Sequence, residues 1–511
     1  MKRIIVILLY LSLLTPGALS LGHFSSSSEQ ELFFSSPLKH KVETFDCYTD
    51  VRLFTSPDSS YQVLMDFFND TESELLIATY QFNCQHISER VSALASENIN
   101  VTVIVDGQPV GDISTSTLSS LNRIKSAGGS INAIEWEDNT FFHGKYMIRD
   151  RSHVLITSEN FGRNGFSREP TWGNRGWGMI VNSTSLADYY RDIYLHDLNL
   201  SSAISPDVLL TPYEPVTGYY KPRFQSEELH DLFRFTPVTA PETSYKLIDM
   251  IQSAKYTIHV QQYYIRNWGQ YPNPLVEALK EAAGRGVEVK IQMDSTYFHI
   301  DDNKDMVNQL NQYAEKRDLE LEARLMEYRQ GFQSVHNKGM IVDGSKVLIS
   351  SINWNENSYS NNREIALIVE NRDVGQYFSN IFLTDWKMLR NRPIADAGED
   401  IEDAVVNEVI TLDGSYSWDL KNISRYRWDL TGNGVYEKEG PTVNWTFYQA
   451  GTYEVTLKVI DLEGESDTDT VNIYVSEPEN VSDEKRTMSS MILLSLLLIF
   501  FVWLSKLVAD P

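Results

Sequence analysis

The sequence predicts an α/β fold: two pseudo-symmetric repeats with mixed sheets flanked by helices, then a small β-sandwich and a C-terminal transmembrane helix. Three observations carry this expectation. One order of apolar strands and amphipathic helices occurs twice between about residues 46 and 390. From 392 to 476 the pattern changes to short alternating runs separated by turn residues. A charge-free apolar run from Met488 to Leu504 follows a Glu/Ser-rich stretch and is just long enough to cross a bilayer.

The chain begins Met1-Lys2-Arg3, then runs apolar from Ile4 to Leu14 and small through Ser20. A basic start, a short apolar stretch and small residues predict a signal peptide over 1–20, with an uncleaved anchor as the alternative. A linker over 21–45 precedes the first repeat (46–211) and the second (212–391). The sandwich (392–476), a second linker (477–487) and the anchor (488–507) complete the chain. Signal and anchor together predict a cell-surface, single-pass protein with everything between them outside. Lys485-Arg486 on the outer side oppose the positive-inside trend.

The 44 Lys+Arg against 70 Asp+Glu give a net charge of −26 across 511 residues. That balance argues against a protein that coats nucleic acid. It leaves room for a local basic pocket. Hydrophobic content of 42% excludes wholesale disorder. The two cysteines, Cys47 and Cys84, exclude a disulfide-rich scaffold and a four-cysteine zinc site. Outside the cell they are expected to form a Cys47–Cys84 disulfide, worth roughly 3–4 kcal/mol, with two buried thiols as the alternative. Asn-X-Ser/Thr triplets at Asn69, Asn100, Asn182, Asn199, Asn422, Asn444 and Asn480 permit glycosylation.

Within each repeat a helix (Tyr61–Asn69; Tyr245–Ala254) precedes a buried strand (Leu75–Tyr80; Thr257–Tyr263). A second helix (Ile87–Glu97; Pro274–Gly284) leads to a second strand (Val101–Asp106; Val287–Asp294). Gly284-Arg285-Gly286 is a helix stop. Strands alternating with helices imply a mostly parallel sheet. The segments Tyr190–Leu198 and Phe378–Trp386 close the halves as amphipathic helical ends that belong to the core.

One pattern in each half carries chemistry. His143-Gly144-Lys145 leads through Tyr146-Met147-Ile148 to Asp150, and after six intervening residues comes Thr157-Ser158-Glu159-Asn160. His336-Asn337-Lys338 leads to Asp343, and after six intervening residues comes Ser350-Ser351-Ile352-Asn353. In extended chain, positions i and i+2 share a face, so each His and Lys project together. The next strand (Val154–Ile156; Val347–Ile349) returns Ser158/Asn160 and Ser351/Asn353 to the same end. Two such halves facing one another would put two His and two Lys in one cleft. Asp150 and Asp343, though part of the pattern, sit at the turns and read as structural. His86, His153, His196, His230 and His299 are scattered singly and read as structural or surface residues.

These motifs resemble those of the phospholipase D superfamily, HxKxxxxD followed by Gly/Ser-Ser-X-Asn, over roughly residues 46–390. Thr157 and Ser350 depart from the common Gly but are small. The resemblance implies cleavage or transfer of phosphodiesters without a metal or cofactor. One imidazole attacks phosphorus and the other protonates the leaving oxygen. His143 is assigned as nucleophile and His336 as general acid. Lys145, Lys338, Asn160 and Asn353 are expected to stabilise the phosphate oxygens, with Ser158 and Ser351 as further donors. Acidic residues after the second motif orient the histidine in many relatives, and Glu364, in Asn362-Arg363-Glu364, is the candidate here. The first half reads Asn174-Arg175-Gly176 and lacks it; Glu169 is a possible substitute.

Residues 392–476 look like a PKD domain, an immunoglobulin-like module, on Ala395-Asp396-Ala397-Gly398, Leu412-Asp413-Gly414-Ser415, Trp428 to Gly434 and Gly451-Thr452-Tyr453. Its strands are expected at Val409–Leu412, Tyr426–Asp429, Val443–Phe447, Tyr453–Val459 and Val471–Val475. Asp429, Thr431 and Asn433 faintly suggest a calcium loop, though a plain turn is the simpler reading. The module implies a spacer or adhesive arm that offers contacts to surface proteins or glycans. The expected substrate is a phospholipid. The rivals are a secreted nuclease, a phosphatidyltransferase of the same superfamily, and a non-enzymatic surface binding protein.

Overall fold

The computed structural model describes residues 44–136, 140–210, 215–296, 299–326, 331–387, 393, 395–417, 423–462 and 464–478. The expected signal peptide and transmembrane anchor lie outside the described residues. Among those described, no helix is long and apolar enough to cross a membrane.

The first repeat runs β1 (Phe45–Ser56), α1 (Ser60–Asn69), β2 (Glu74–Thr79), α2 (Gln85–Ser96), β3 (Asn100–Asp106), α3 (Thr115–Ser126), β4 (Ser130–Ile134), β5 (Tyr146–Arg149), β6 (His153–Thr157), β7 (Gly176–Asn182), α4 (Thr184–Leu200) and the short β8 (Ser202–Ala203). The second runs β9 (Glu227–Ala240), α5 (Lys246–Gln252), β10 (Thr257–Gln262), α6 (Pro274–Gly284), β11 (Glu288–Met293), α7 (Ile300–Glu315), β12 (Leu321–Leu325), β13 (Lys338–Val342), β14 (Lys346–Ser350), the short α8 (Glu356–Ser360), β15 (Glu364–Glu370) and α9 (Arg372–Lys387). Local chemistry sets the helix ends. At α6, the Asn273 side chain accepts from Leu275 N and Pro274 opens the first turn. Gly286, at φ +91°, lets the chain turn into β11.

All these strands form one sheet, ordered β12-β11-β10-β13-β14-β15-β9-β1-β7-β6-β5-β2-β3-β4-β8. The two halves meet at the antiparallel β1–β9 pair, where Phe45 faces Phe235 and Leu53 faces Glu227. The expectation of a mostly parallel sheet holds only for β2-β3-β4 and β10-β11-β12. From β2 through β5, β6 and β7 to β1, and from β10 through β13, β14 and β15 to β9, pairing is antiparallel. For β5-β6 and β13-β14 the reason is the short turns after Arg149 and Val342, which permit hairpins but not the long crossover a parallel pair needs.

Helices α1–α3 bury Val63, Phe67, Ile87, Val91, Leu121 and Ile124 against one face of the first half-sheet. The closing helices interlock the halves. Phe378 of α9 stacks on Trp177 of β7 at 4.9 Å, and the Tyr190 hydroxyl of α4 donates to Ala366 O in β15. Gly339 admits this packing, because a Cβ there would stand 2.4 Å from the Trp177 ring.

The Cys47–Cys84 disulfide is not formed; both thiols are free. Cys47 lies on β1 opposite Phe233. Cys84 caps α2, just after β2, in the core of the first repeat. Strand β2 is the fourth neighbour of β1, on the order of 19 Å away. A disulfide needs Cα atoms within about 7 Å.

The C-terminal module is the expected sandwich. Strands β16 (Ile401–Val405), β17 (Val409–Asp413), β18 (Ile423–Asp429), β19 (Lys438–Glu439), β20 (Thr442–Thr446), β21 (Gly451–Asp461) and β22 (Ser466–Ser476) form a sheet β16-β22-β21-β18-β19 and a pair β17-β20. Trp428 is fully buried among Val455, Leu457, Val471 and Ile473, and its Nε1 donates to Gly440 O. The Asp429 carboxylate accepts from the backbone of Thr431, Asn433 and Gly434, which makes this segment a plain turn.

Candidate active site

Each motif strand is held at its start by the opposite half. His143 N donates to Arg363 O, and Arg363 N to Phe141 O. His336 N donates to Arg175 O, and Arg175 N to Ser334 O. Within each half, the aspartate ending the second parallel strand pins the residue before the histidine. Asp106 accepts from Phe142 N, and Asp294 from Val335 N, both at 2.6 Å.

The two arginines are fully or almost fully buried. Arg175 pairs with Asp58 at 2.7 Å and with Asp385 at 2.9 Å, and donates to the Tyr220 hydroxyl. Arg363 pairs with Asp197 at 3.2 Å and Glu242 at 2.8 Å. The closing helices α4 and α9 are therefore core, as expected, except that each places one acid, Asp197 or Asp385, beneath the site.

The paired histidines and lysines converge as expected. His143 Nδ1 lies 2.7 Å from Glu364 Oε2, a carboxylate of the other repeat. His336 Nδ1 lies 3.4 Å from Glu159 Oε2, again across the repeats. An asparagine steadies each carboxylate: Asn362 Nδ2 donates to Glu364, and Asn174 Nδ2 to Glu159. The Lys145 and Lys338 ammonium groups donate to the carbonyls of His143 and His336. Tyr80 and Tyr263 wall the two halves. Their rings lie 4.9 Å from the His143 ring and 5.0 Å from the His336 ring, with the ammonium groups of Lys145 and Lys338 over them at 5.7 and 5.2 Å.

Burial governs the charges. It pushes His143 down to about 4, with Glu364 opposing and the lysines adding. It also lowers His336, where Lys338 adds and Glu159 opposes. Lys338 falls to about 7, and Lys145 falls well below the ordinary lysine range. Glu159 lies below its usual value: burial works against this, and His336 and Lys338 outweigh it. Burial depresses both ammonium groups although Glu159 and Glu364 act against it, and an anion in the cleft would further favour their charged forms. Asn160 Oδ1 and Asn353 Oδ1 are likewise buried with no hydrogen-bond partner among the described residues.

Several expectations need correction. Ser158 and Ser351 are fully buried, and their hydroxyls are taken up by protein partners. Ser351 donates to Glu364 at 2.6 Å and accepts from Ile365 N; the Ser158 hydroxyl accepts from Trp177 N. They fix the starts of β15 and β7. Glu169 lies near His86, whose charge it favours, and not at His336. Glu159 takes that place. It was detectable as a charge where the second copy has Ile352. Tyr80 and Tyr263 were hidden because they read only as strand ends.

Asp150 and Asp343 stand at the far ends of β5 and β13, on the order of 20 Å along the strand from the histidines. Asp150 accepts from the backbone of Glu72, Ser73 and Glu74 and from the Ser73 hydroxyl. Asp343 accepts from Lys255, Tyr256 and Thr257 N. Both hold φ near +50°, which suits an aspartate at a turn. Asp150→Ala is expected to lower unfolding free energy by about 1–3 kcal/mol and to leave kcat within a few-fold. A large kcat loss at unchanged stability in denaturant titrations would contradict the structural assignment.

Among the described residues no group of three or more His, Cys, Asp or Glu is arranged to hold a metal ion.

The family model described as "Cardiolipin synthase, PLD-like domain" matches residues 64–198 and 247–386, and a PKD domain model matches 390–475. A cardiolipin synthase of Clostridium perfringens is 22% identical over 364 residues, covering 68% of this chain and 72% of its own length. A probable cardiolipin synthase of Bacillus subtilis is 22% identical over 383 residues, covering 71% and 68%. Among solved structures, phosphatidylserine synthase of Haemophilus influenzae superposes with a TM-score of 0.50 at 12% identity, covering 66% of this chain and 85% of that one. Duplicated motifs, reciprocal carboxylates and the family match over both repeats lead to one conclusion: the chain belongs to the cardiolipin synthase-type, phospholipase D-like family and carries a C-terminal PKD domain.

Proposed function

We propose that this protein cleaves phosphodiester bonds of phospholipids through a covalent phosphohistidine formed on His143. The observation that carries the reading is the reciprocal pair of imidazoles, each with Nδ1 toward a buried carboxylate of the opposite repeat. A carboxylate on Nδ1 fixes the tautomer, so Nε2 of a neutral imidazole is left free to attack. His143, with the shorter contact and a pKa near 4, is neutral at pH 7. Burial also pushes His336 down, with Glu159 opposing; the negative charge of a bound phosphodiester would join Glu159 in favouring the protonated form that acts as general acid.

In the first step the His143 Nε2–P bond forms and the P–O bond to the leaving alcohol breaks. That oxygen takes the proton of His336. In the second step neutral His336 removes a proton from water or an acceptor alcohol, whose oxygen displaces His143. Lys145, Lys338, Asn160 and Asn353 hold the non-bridging oxygens. The names of the relatives support an alcohol acceptor in the second step, which makes phosphatidyl transfer the second reading. Lipid as substrate also accords with the expected signal at 1–20 and anchor at 488–507, which would hold the site outside the cell beside a membrane.

The test uses the full chain in detergent with phosphatidylglycerol as the only lipid and excess chelator. Phosphatidic acid with glycerol indicates hydrolysis; cardiolipin with glycerol indicates transfer. Failure to turn over this lipid, phosphatidylcholine or an aryl phosphodiester, while single-stranded DNA is cut, would replace this reading with the nuclease.

A further inference from the structure

The two repeats set carboxylates beside their histidines from different places in the chain, Glu364 at 2.7 Å from His143 and Glu159 at 3.4 Å from His336. In the second repeat Glu364 opens β15, and the residue between the motif's Ser and Asn is the fully buried Ile352. In the first repeat the equivalent of Glu364 is Gly176, which opens β7, and the equivalent of Ile352 is Glu159. These departures fill one space. A Cβ on Gly176 would stand 2.3 Å from Glu159 Oε1 and 2.6 Å from its Cγ. The Glu159 side chain thus occupies the volume in which a β7 side chain would begin. Asn174 and Asn362, at equivalent positions, donate to Glu159 and Glu364 alike.

We infer that Glu159 is the positioning residue for His336, a carboxylate transferred from the start of β7 to the loop after β6, and that Gly176 is its obligatory counterpart. The inference rests on the proposed function for the meaning of His336 as general acid, but its geometry stands apart from any substrate. It makes the two positions exchangeable as a pair. Glu159→Ile with Gly176→Glu would recreate in the first repeat the Ile352 and Glu364 arrangement. Ser158 must also shift, because a Cβ on Gly176 would stand 2.8 Å from its Oγ; the second repeat accommodates the same pair, with the Ser351 hydroxyl donating to the Glu364 carboxylate at 2.6 Å.

The experiment compares the full-length wild type, Glu159→Gln, Glu159→Ile, Gly176→Glu and the Glu159→Ile/Gly176→Glu double variant. Two readouts are taken: imidazole 15N shifts of His336 against pH, and kcat/KM against pH on an aryl phosphodiester. Glu159 favours the charged form of His336. Glu159→Gln is therefore expected to move the His336 titration to lower pH. The basic limb of kcat/KM should move the same way, with a loss of about 10²-fold. Gly176→Glu alone should fold poorly. The double variant should recover most of the activity lost in Glu159→Ile and restore the His336 titration. An unchanged His336 titration in Glu159→Gln, or a double variant no better than Glu159→Ile in both readouts, would overturn the inference. A shifted titration in an enzyme that turns over no diester would retain Glu159 as the positioning residue and refute the proposed function instead.

Discussion

The His143→Ala protein is expected to lose phosphodiester turnover by about 10⁴–10⁶-fold, because it removes the imidazole proposed to form the covalent bond to phosphorus. His336→Ala should behave differently according to the leaving group. With an alkyl diester, whose oxygen must be protonated as it departs, the loss should approach that of His143→Ala. With a nitrophenyl diester the first step needs no acid, so a burst of nitrophenol should persist while the second step stalls. The pH profile follows from the same site. His143 must be neutral to attack, and burial holds its pKa at about 4. The acid limb of kcat/KM is therefore expected well below the pH 6.5 of a free imidazole. Activity lost on acidification already near pH 6.5 would mean that His143 is not held as described.

The second large effect is on stability. Arg175→Met removes the cation that faces both Asp58 and Asp385 and strands two buried carboxylates. A cost of about 3–5 kcal/mol is expected in chemical denaturation. If the charge pairing is the cause, Arg175→Met/Asp385→Leu should be more stable than Arg175→Met alone, as removing a stranded charge relieves its desolvation. An Arg175→Met protein as stable as wild type would show that the buried cluster does not hold the repeats together. Arg175 O also receives His336 N, so residual folded protein should show a displaced His336 resonance.

The duplicated architecture was legible because it is written in periodicity and spacing. Apolar runs fix β2, β3, β10 and β11, and the motif spacing fixes the hairpins that bring His143 and Lys145 beside His336 and Lys338. Longer-range consequences were not legible. Nothing local shows that β1 and β9 pair and fuse both repeats into one sheet, since that pairing joins segments about 180 residues apart. The serines of each motif looked like phosphate ligands because a hydroxyl's partner depends on tertiary packing, and here backbone amides and Glu364 claim them. The Cys47–Cys84 expectation failed for the same reason: oxidation chemistry permits a bond that strand order places out of reach. Glu159 was present in the motif itself. Its meaning emerges only when the volume above Gly176 is seen to be occupied.

The most direct test of the central claim is to find the covalent adduct. The full-length protein, mixed with a nitrophenyl phosphodiester and quenched in alkaline denaturant to preserve a phosphorus–nitrogen bond, can be digested and mapped by mass spectrometry. A phosphoryl adduct is expected on the peptide containing His143, accumulating in His336→Ala and absent from His143→Ala. An adduct on His336 with none on His143, or undiminished turnover in His143→Ala, would contradict that claim.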